Sequence, residues 1–131
     1  MAKTIEQNVN VNDVSRISQG ASIKGDLSSN SDIRVDGKVD GTLYSSGRIV
    51  VGESARLAGN MLCENVDIWG QMDGDIYVKD VLSVKSSAVI NGNIHVHRLQ
   101  VEIGAQINGS CMMITEEDYD KYVNTVVKNI L

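Results

Sequence analysis

The chain has 131 residues, the size of one domain, and a formal net charge of −5 from 17 acidic and 12 basic residues. This balance argues against a nucleic-acid or anionic-lipid surface, and no run of about 18 apolar residues exists that could span a membrane. The opening MAKTIEQNVNVNDVSR lacks the apolar core of a secretory signal, so we expect a cytoplasmic protein whose two cysteines stay reduced. With no Phe, the core must be built from aliphatic side chains.

Residues 1–15 are polar and follow no hydrophobic period, which predicts a flexible N-terminal tail. The alternating stretch NVNVNDV within them leaves a second interpretation open. In that interpretation it forms a strand that pairs with the beginning of the region that follows.

Residues 16–114 repeat around a series of glycines spaced 15 to 18 residues apart. The positions two before and two after each glycine are apolar in every repeat, as is the position eight before. The glycines are Gly25, Gly41, Gly59, Gly74, Gly92 and Gly109. Apolar and polar residues alternate within each repeat, as in IRVDGKVDGTL, which is the period of a β-strand.

Repeats of this length predict an all-β fold, a parallel β-helix of about six triangular windings that is about 28 Å long at a strand spacing of about 4.8 Å. The glycines mark a corner where the backbone takes positive φ. The segments GESA and KSSA read as turn insertions that leave the inward columns intact.

Both ends of such a rod are open sheet edges lined by inward-facing aliphatic residues, and each end must be capped or must pair with another molecule. We predict two polymerisation surfaces. At the C-terminal end we assign Ile103, Ile107, Cys111 and Met113. At the N-terminal end we assign Ile17, Ile23 and Leu27.

Residues 115–131 change character and predict a helix over about 116–130. Thr115 begins a T-x-x-D capping box, and Tyr119, Tyr122, Val123, Val126 and Ile130 share one helical face. The helix is expected to lie against the last winding or along the side of the rod. Docking to a partner stays an alternative.

Several histidine, cysteine, aspartate and asparagine residues carry potential chemistry, and we interpret none of them as a functional site. His95 and His97 share an outward face, but the columns beside them supply no third metal ligand, so we expect a solvated strand. Cys63 and Cys111 fall three windings apart, about 14 Å, and read as small core residues. Asp and Asn residues near the glycines could hold calcium but fit better as corner residues. No catalytic motif is present, so we predict no enzyme, no cofactor and no metal.

The ordered series of steps resembles the bactofilins, which are polymer-forming bacterial cytoskeletal proteins. The resemblance covers residues 16–113 and lies in IKGDLSSNSDIRVDGKVDGTLYSSGRIVVGESARLAGNM, VDIWGQMDGDIYV and GAQINGSCMM. It implies a right-handed β-helix, disordered tails, and non-polar filaments that form without nucleotide when like ends of the rods meet.

The same resemblance implies a scaffold that supports cell shape or positions cell-wall enzymes and membrane-associated proteins, with attachment to the inner face of the membrane left open. Family members often carry Phe at the end contact, and Ile107 occupies the matching position. Two other functions are weighed: an acyltransferase-like enzyme on a left-handed β-helix, and a monomeric binding module. The irregular repeat spacing fits the enzyme class poorly.

Overall fold

The structure is a computed structural model that describes residues 15–126, and it is a parallel β-solenoid of about six windings followed by one helix. Its strands form three parallel ladders, which are the three faces of the rod. The first face contains β1 (Ser15–Ile17), β4 (Ile33–Val35), β6 (Arg48–Val51), β8 (Asn65–Ile68) and the last residues of β9 (Gln71–Val84) and β10 (Val89–Val101). The predicted all-β fold is therefore confirmed.

The glycine corner separates the other two faces. The second face begins with β2 (Ser22–Lys24) and continues through the first residues of β5 (Lys38–Ser45), β7 (Arg56–Cys63), β9, β10 and β11 (Gln106–Met113). The third face begins with β3 (Leu27–Ser29) and continues through the residues of β5, β7, β9, β10 and β11 that follow their glycines.

The core consists of inward columns in which each residue stacks on its equivalent in the next winding. The columns two before and two after the glycines are confirmed by the register of the strand pairs, and a further inward column lies four after them. The prediction that the residues eight before the glycines form one column is wrong. Ile33 pairs with Ile49, whereas Ile17 pairs with Val35. The first face carries two inward columns, and the windings differ in length between that face and the glycines, so a fixed offset reaches one column in some windings and the other column in the rest.

The turn insertions leave the register of the columns intact, as predicted. GESA forms a turn in which the Ala55 N–H donates to the Gly52 carbonyl at 3.0 Å, and KSSA forms the same turn between Lys85 and Ala88. Both turns lie at the corner between the first and second faces. The extra residues bulge outward there, while the buried alanine continues the inward surface.

The glycine corner excludes any side chain, which is a stronger requirement than the predicted positive φ alone. At Gly74 φ is 133°, and a Cβ built there overlaps with the carbonyl oxygen of Gly59 in the winding before. Stacking at this corner therefore needs a hydrogen atom where other residues carry Cβ.

The C-terminal segment forms helix α1 (Glu116–Val126), and its capping box is confirmed. The Asp118 N–H donates to Thr115 Oγ1 at 3.1 Å, and the Thr115 N–H donates to Asp118 Oδ2 at 3.2 Å. The bond from the Thr115 N–H, together with a hydrogen bond to the Thr115 side chain, lowers the pKa of the Asp118 carboxyl. The remainder of the predicted helix, residues 127–130, and the predicted tail up to residue 14 lie outside the described residues.

Candidate functional site

The C-terminal end of the rod exposes residues of the inward columns. Met113 is 60% exposed, whereas Val96, its partner one winding earlier in the same column, is 0% exposed. Val101 is 46% exposed and its partner Val84 is 0% exposed. Within the described residues, β11 pairs only with β10, so its other edge presents free backbone donors and acceptors. The last winding therefore combines an apolar layer with an open strand edge.

Two other predicted residues of this end lie in the inward columns. Ile107 pairs with Ile90 and packs against the core while partly exposed. Cys111 pairs with the buried Ile94 but is itself exposed, so it is not the core residue that the sequence predicted, because no described winding covers it. Cys63 is fully buried as predicted, and burial raises the pKa of its thiol.

Ile103 does not belong to this apolar layer. It lies in the turn from Glu102 to Ala105 at the corner between the first and second faces, and it is 97% exposed. The equivalent positions in earlier turns are the exposed residues Glu53 and Ser86. Ala105, which packs against the core, is the inward residue at this corner. The prediction that groups Ile103 with the layer fails because it ignores the turn geometry.

Helix α1 lies along the side of the rod and leaves the end open. It packs on the outward side of the third face, where Tyr119 forms a buried cluster with Leu62 and Ile114. Tyr44 and Tyr77 line the same cluster from the second and fourth windings. Burial raises the pKa of the Tyr119 phenol. Of the two positions predicted for the helix, the structure has the one along the side.

The outward positions under the helix were missed at the sequence level, although a signal existed. The residue three after each glycine is outward on the third face, and in the middle windings these residues are large. They are Tyr44, Leu62, Tyr77 and His95, and we call them the side stripe. An outward column of this kind predicts a covering element, here the apolar face of α1.

The expectation that both histidines lie on a solvated strand is wrong for His95. Its ring stacks on Tyr77 with centroids 4.6 Å apart, and Tyr122 of the helix lies 5.3 Å away. His95 Nδ1 is buried and has no hydrogen-bond partner within residues 15–126. His97 is exposed, and its Nδ1 lies 2.9 Å from the Ile114 carbonyl oxygen, next to the beginning of the helix. The helix changes the environment of His95, which the strand pattern alone could not reveal.

The N-terminal end differs from the C-terminal end. Ile17 and Leu27, which the sequence assigned to an open surface, are only 6% and 4% exposed. Ile23 on the second face stays partly buried. The two ends of the described rod are therefore unequal, because Leu27 of the first winding is buried whereas Met113 of the last winding is exposed.

Corner Asx residues form a hydrogen-bonded ladder that runs from winding to winding. Asn108 Nδ2 donates to Asn91 Oδ1 at 2.9 Å, and Asn91 Nδ2 donates to Asp73 Oδ1 at 2.7 Å. These side chains therefore provide one another with hydrogen-bond partners along the second face. Among residues 15–126, no three His, Cys, Asp or Glu side chains lie close enough to hold a metal ion.

The repetitive rod with one open apolar end matches a family of polymer-forming proteins. Residues 15–112 match the family described as "Bactofilin: Polymer-forming cytoskeletal". The chain belongs to the bactofilin family. It is also similar to "Bactofilin BacO" of Myxococcus xanthus (strain DK1622), with 26% identity over 95 residues that cover 72% of this chain and 75% of the relative. No solved structure matches it.

The family match covers nearly the whole solenoid of this bactofilin and ends before helix α1. The inward columns, the glycine corner and the open last winding therefore belong to the shared domain, whereas α1 lies beyond it. Among the described residues, no helix has the length and apolar character needed to cross a membrane.

Proposed function

We propose that the chain assembles into filaments through the open C-terminal end of its rod, and that these filaments act as a scaffold. The observation that carries this proposal is the exposure of inward columns in the last winding, which are fully covered one winding earlier. Membership of a polymer-forming cytoskeletal family supports it.

Two like ends can provide each other with backbone hydrogen-bond partners and apolar contacts. The free edge of β11 offers backbone groups, and Met113, Val101 and Ile107 offer an apolar layer beside it. A second copy related by a two-fold axis brings the same layer and the same edge, so the contact is self-complementary. Burying this layer removes apolar surface from water, and pairing the edge satisfies its donors and acceptors. Assembly by this route needs no nucleotide.

Adjacent methionines allow a matched test of the surface. Met113 points into the end layer, whereas its neighbour Met112 points outward on the third face, and the two are 60% and 56% exposed. In Met113→Asp, two like charges meet in a desolvated contact, which opposes pairing. We expect light scattering and negative-stain microscopy to show no filaments from Met113→Asp and ordinary filaments from Met112→Asp.

A second pair of variants distinguishes the contribution of the end layer to assembly from that of the corner beside it. Ile107→Asp should also abolish filaments, whereas Ile103→Asp, at the fully exposed turn position, should leave them unchanged. Circular dichroism on each variant checks that the β fold survives. Filaments from both Met113→Asp and Ile107→Asp would overturn the proposal, and compact trimers without filaments would favour the acyltransferase-like architecture.

The scaffold role is the second part of the proposal. A rod without a catalytic motif gives a filament repeated surfaces for holding other proteins at one place, and we infer clients among cell-wall enzymes or membrane-associated proteins on the cytoplasmic side of the membrane. The test is a fluorescent fusion in the native host, compared between the parent chain and Met113→Asp. Elongated structures in the parent and diffuse fluorescence in the variant are expected, and identical distributions would contradict the role.

A further inference from the structure

A shallow groove of about 290 Å³ on the second face is lined by three exposed basic side chains. They are Lys24, Lys38 and Arg56, which come from the first, second and third windings. Lys38 and Arg56 are direct neighbours in adjacent strands, and like charges in that position repel each other. An anionic group bound in the groove would relieve this repulsion.

The carboxylates around the groove do not neutralise these charges. Within the described part of the chain, none of the three basic side chains forms an ion pair with a carboxylate, and Arg56 donates to the side-chain oxygen of Gln71. Asp73 accepts hydrogen bonds from the amides of Gln71 and Asn91. Asp40 is the other carboxylate that lines the groove. The groove therefore suits an acidic group from outside the rod.

Charge of the opposite sign lies in the C-terminal half of the same molecule. Residues 15–64 contain six basic and six acidic residues, whereas residues 65–126 contain four basic and nine acidic residues. The first turn of α1 contributes to this excess, and its Glu116 and Glu117 are exposed. Neither of them forms an ion pair with another residue that the structure describes. One rod thus carries both an acidic helix terminus and a basic groove.

The two surfaces lie on different faces of the rod but at overlapping levels along it. Helix α1 packs on the third face against residues of the side stripe, from Tyr44 in the second winding to His95 in the fifth. The groove extends from Ser22 in the first winding to Gln71 in the fourth. Two rods that lie side by side and point the same way can therefore bring α1 of one rod against the groove of the other. This contact joins two different surfaces, so it can repeat from rod to rod.

We propose that the acidic first turn of α1 in one rod binds the basic groove on the second face of a neighbouring rod, with Glu116 and Glu117 facing Lys38 and Arg56. The partner is a second copy of this chain, because the same molecule supplies both charges at overlapping levels. A single contact between exposed charges is weak, whereas many contacts along two filaments add up. That consequence, the side-by-side association of filaments, rests on the proposed function.

Carbodiimide cross-linking tests the contact on single rods, because the reagent joins a lysine amine to a touching carboxylate as an amide. We would treat a mixture of nitrogen-15-labelled and unlabelled Met113→Asp chains, whose ends should stay apart, and identify the joined peptides by mass spectrometry. We expect peptides in which Lys38 is joined to Glu116 or Glu117 and the two labels are mixed. Lys79 Nζ lies 3.7 Å from Asp120 Oδ1 within one rod, so that cross-link should join only peptides of the same label.

Salt should weaken the contact between rods. The yield of the mixed cross-link should fall at least about fivefold in about 1 M salt, where the Debye length is about 3 Å. Absence of a mixed cross-link at low salt would overturn the proposal. Mixed cross-links from Lys38 only to other carboxylates would also overturn it, because another part of the second copy would then occupy the groove. This measurement needs no filament, so its failure leaves the proposed function standing.

Two variants with the same change of net charge distinguish this contact from general repulsion between filaments. Lys38→Glu reverses a charge in the groove, whereas Lys121→Glu adds an acidic group to α1, the acidic side of the contact. At low salt, low-speed sedimentation and microscopy should show bundling of filaments reduced at least about fivefold in Lys38→Glu, because like charges then meet. Bundling should be retained in Lys121→Glu. Equal bundling in the two variants would overturn the proposal.

Discussion

The ring of Tyr122 in helix α1 lies 4.8 Å from the ring of Tyr77 in the fourth winding. Tyr77 is itself stacked on His95, with an angle of 11° between the two rings. The helix therefore packs against two stacked rings from successive windings, Tyr77 and His95. These ring contacts hold the helix to the side of the rod. The position of α1 leaves the last winding free, so helix docking and the open end are separate features of the molecule.

Replacing Tyr122 tests whether the ring contacts hold the helix. Tyr122→Ala removes contacts with Tyr77 and His95, and we expect docking to weaken by about 1–3 kcal/mol. The amides of α1 should exchange faster with solvent, whereas thermal unfolding of the β signal should keep its midpoint. Tyr122→Phe keeps the ring and should behave as the parent. An equal loss of β stability in Tyr122→Ala would mean that the helix is part of the solenoid core.

Alkaline pH should release the helix before it unfolds the rod. Burial raises the pKa of Tyr119 above its ordinary value, so the docked state holds the phenolic proton more tightly than the released state. The docking free energy is therefore fully present below about pH 10, the ordinary pKa of tyrosine, and falls as pH rises above it. Ultraviolet absorbance of the phenolates, followed together with α1 exchange, measures this. In Tyr119→Phe the pH dependence of docking should become smaller, and Tyr77, whose pKa burial also raises and whose ring contacts Tyr122, should retain part of it.

An acidic residue in an inward column should destabilise the whole rod. Ile68 is 0% exposed and lies between Val51 and Val84. Ile68→Asp buries a carboxylate without a partner, at a cost of several kcal/mol. Val81→Asp is the control, because Val81 points outward on the same face beside Arg98. We expect a large drop in the thermal midpoint for Ile68→Asp and a small change for Val81→Asp.

Substitutions at two glycines distinguish the cost of backbone strain from the cost of atomic overlap between windings. Both have positive φ, but a Cβ at Gly74 meets the Gly59 carbonyl, whereas a Cβ at Gly20 meets no described residue within 4 Å. Gly20→Ala should cost about 1–2 kcal/mol from conformation alone. Gly74→Ala must also push two windings apart and should cost clearly more in urea unfolding. Equal losses would show that contact between windings at this corner adds nothing.

The sequence predicted the solenoid well because each inward column repeats the same chemistry. Glycine marks the tight corner and aliphatic residues flank it, so the second and third faces follow from simple counting. The first face was harder to predict, because the number of residues between its inward columns and the glycines varies. Ile17 and Ile33 both lie eight residues before a glycine, but they belong to different columns. Counting fails wherever an insertion lies between the anchor and the residue counted.

The ends were predicted less accurately because exposure there depends on neighbours outside the repeat. Ile103 is apolar and close to the end, but its place in the turn puts it outside the layer. Leu27 belongs to the first winding, yet it is buried. His95 looked solvated because the strand pattern gives its direction but not the helix that packs on that side.

Removing the helix tests whether assembly depends on it. A chain that ends at Ile114 keeps the bond from the Ile114 N–H to the Val96 carbonyl and loses every contact of α1 with the side stripe. Because α1 covers no inward column, the β signal should persist. Filaments should still form, because the end layer around Met113 is unchanged.

The same truncation should also make the rod adhesive along its side. Leu62 is 0% exposed beneath the helix, and Tyr44 and Tyr77 flank it, so an apolar stripe opens to water. We expect lateral clustering of filaments in microscopy, together with lower solubility. Leu62→Ser in the truncated chain should reduce the clustering without changing filament length. If the truncated chain forms no filaments while keeping its β signal, the side contact of α1 is required for assembly and the end contact alone is insufficient.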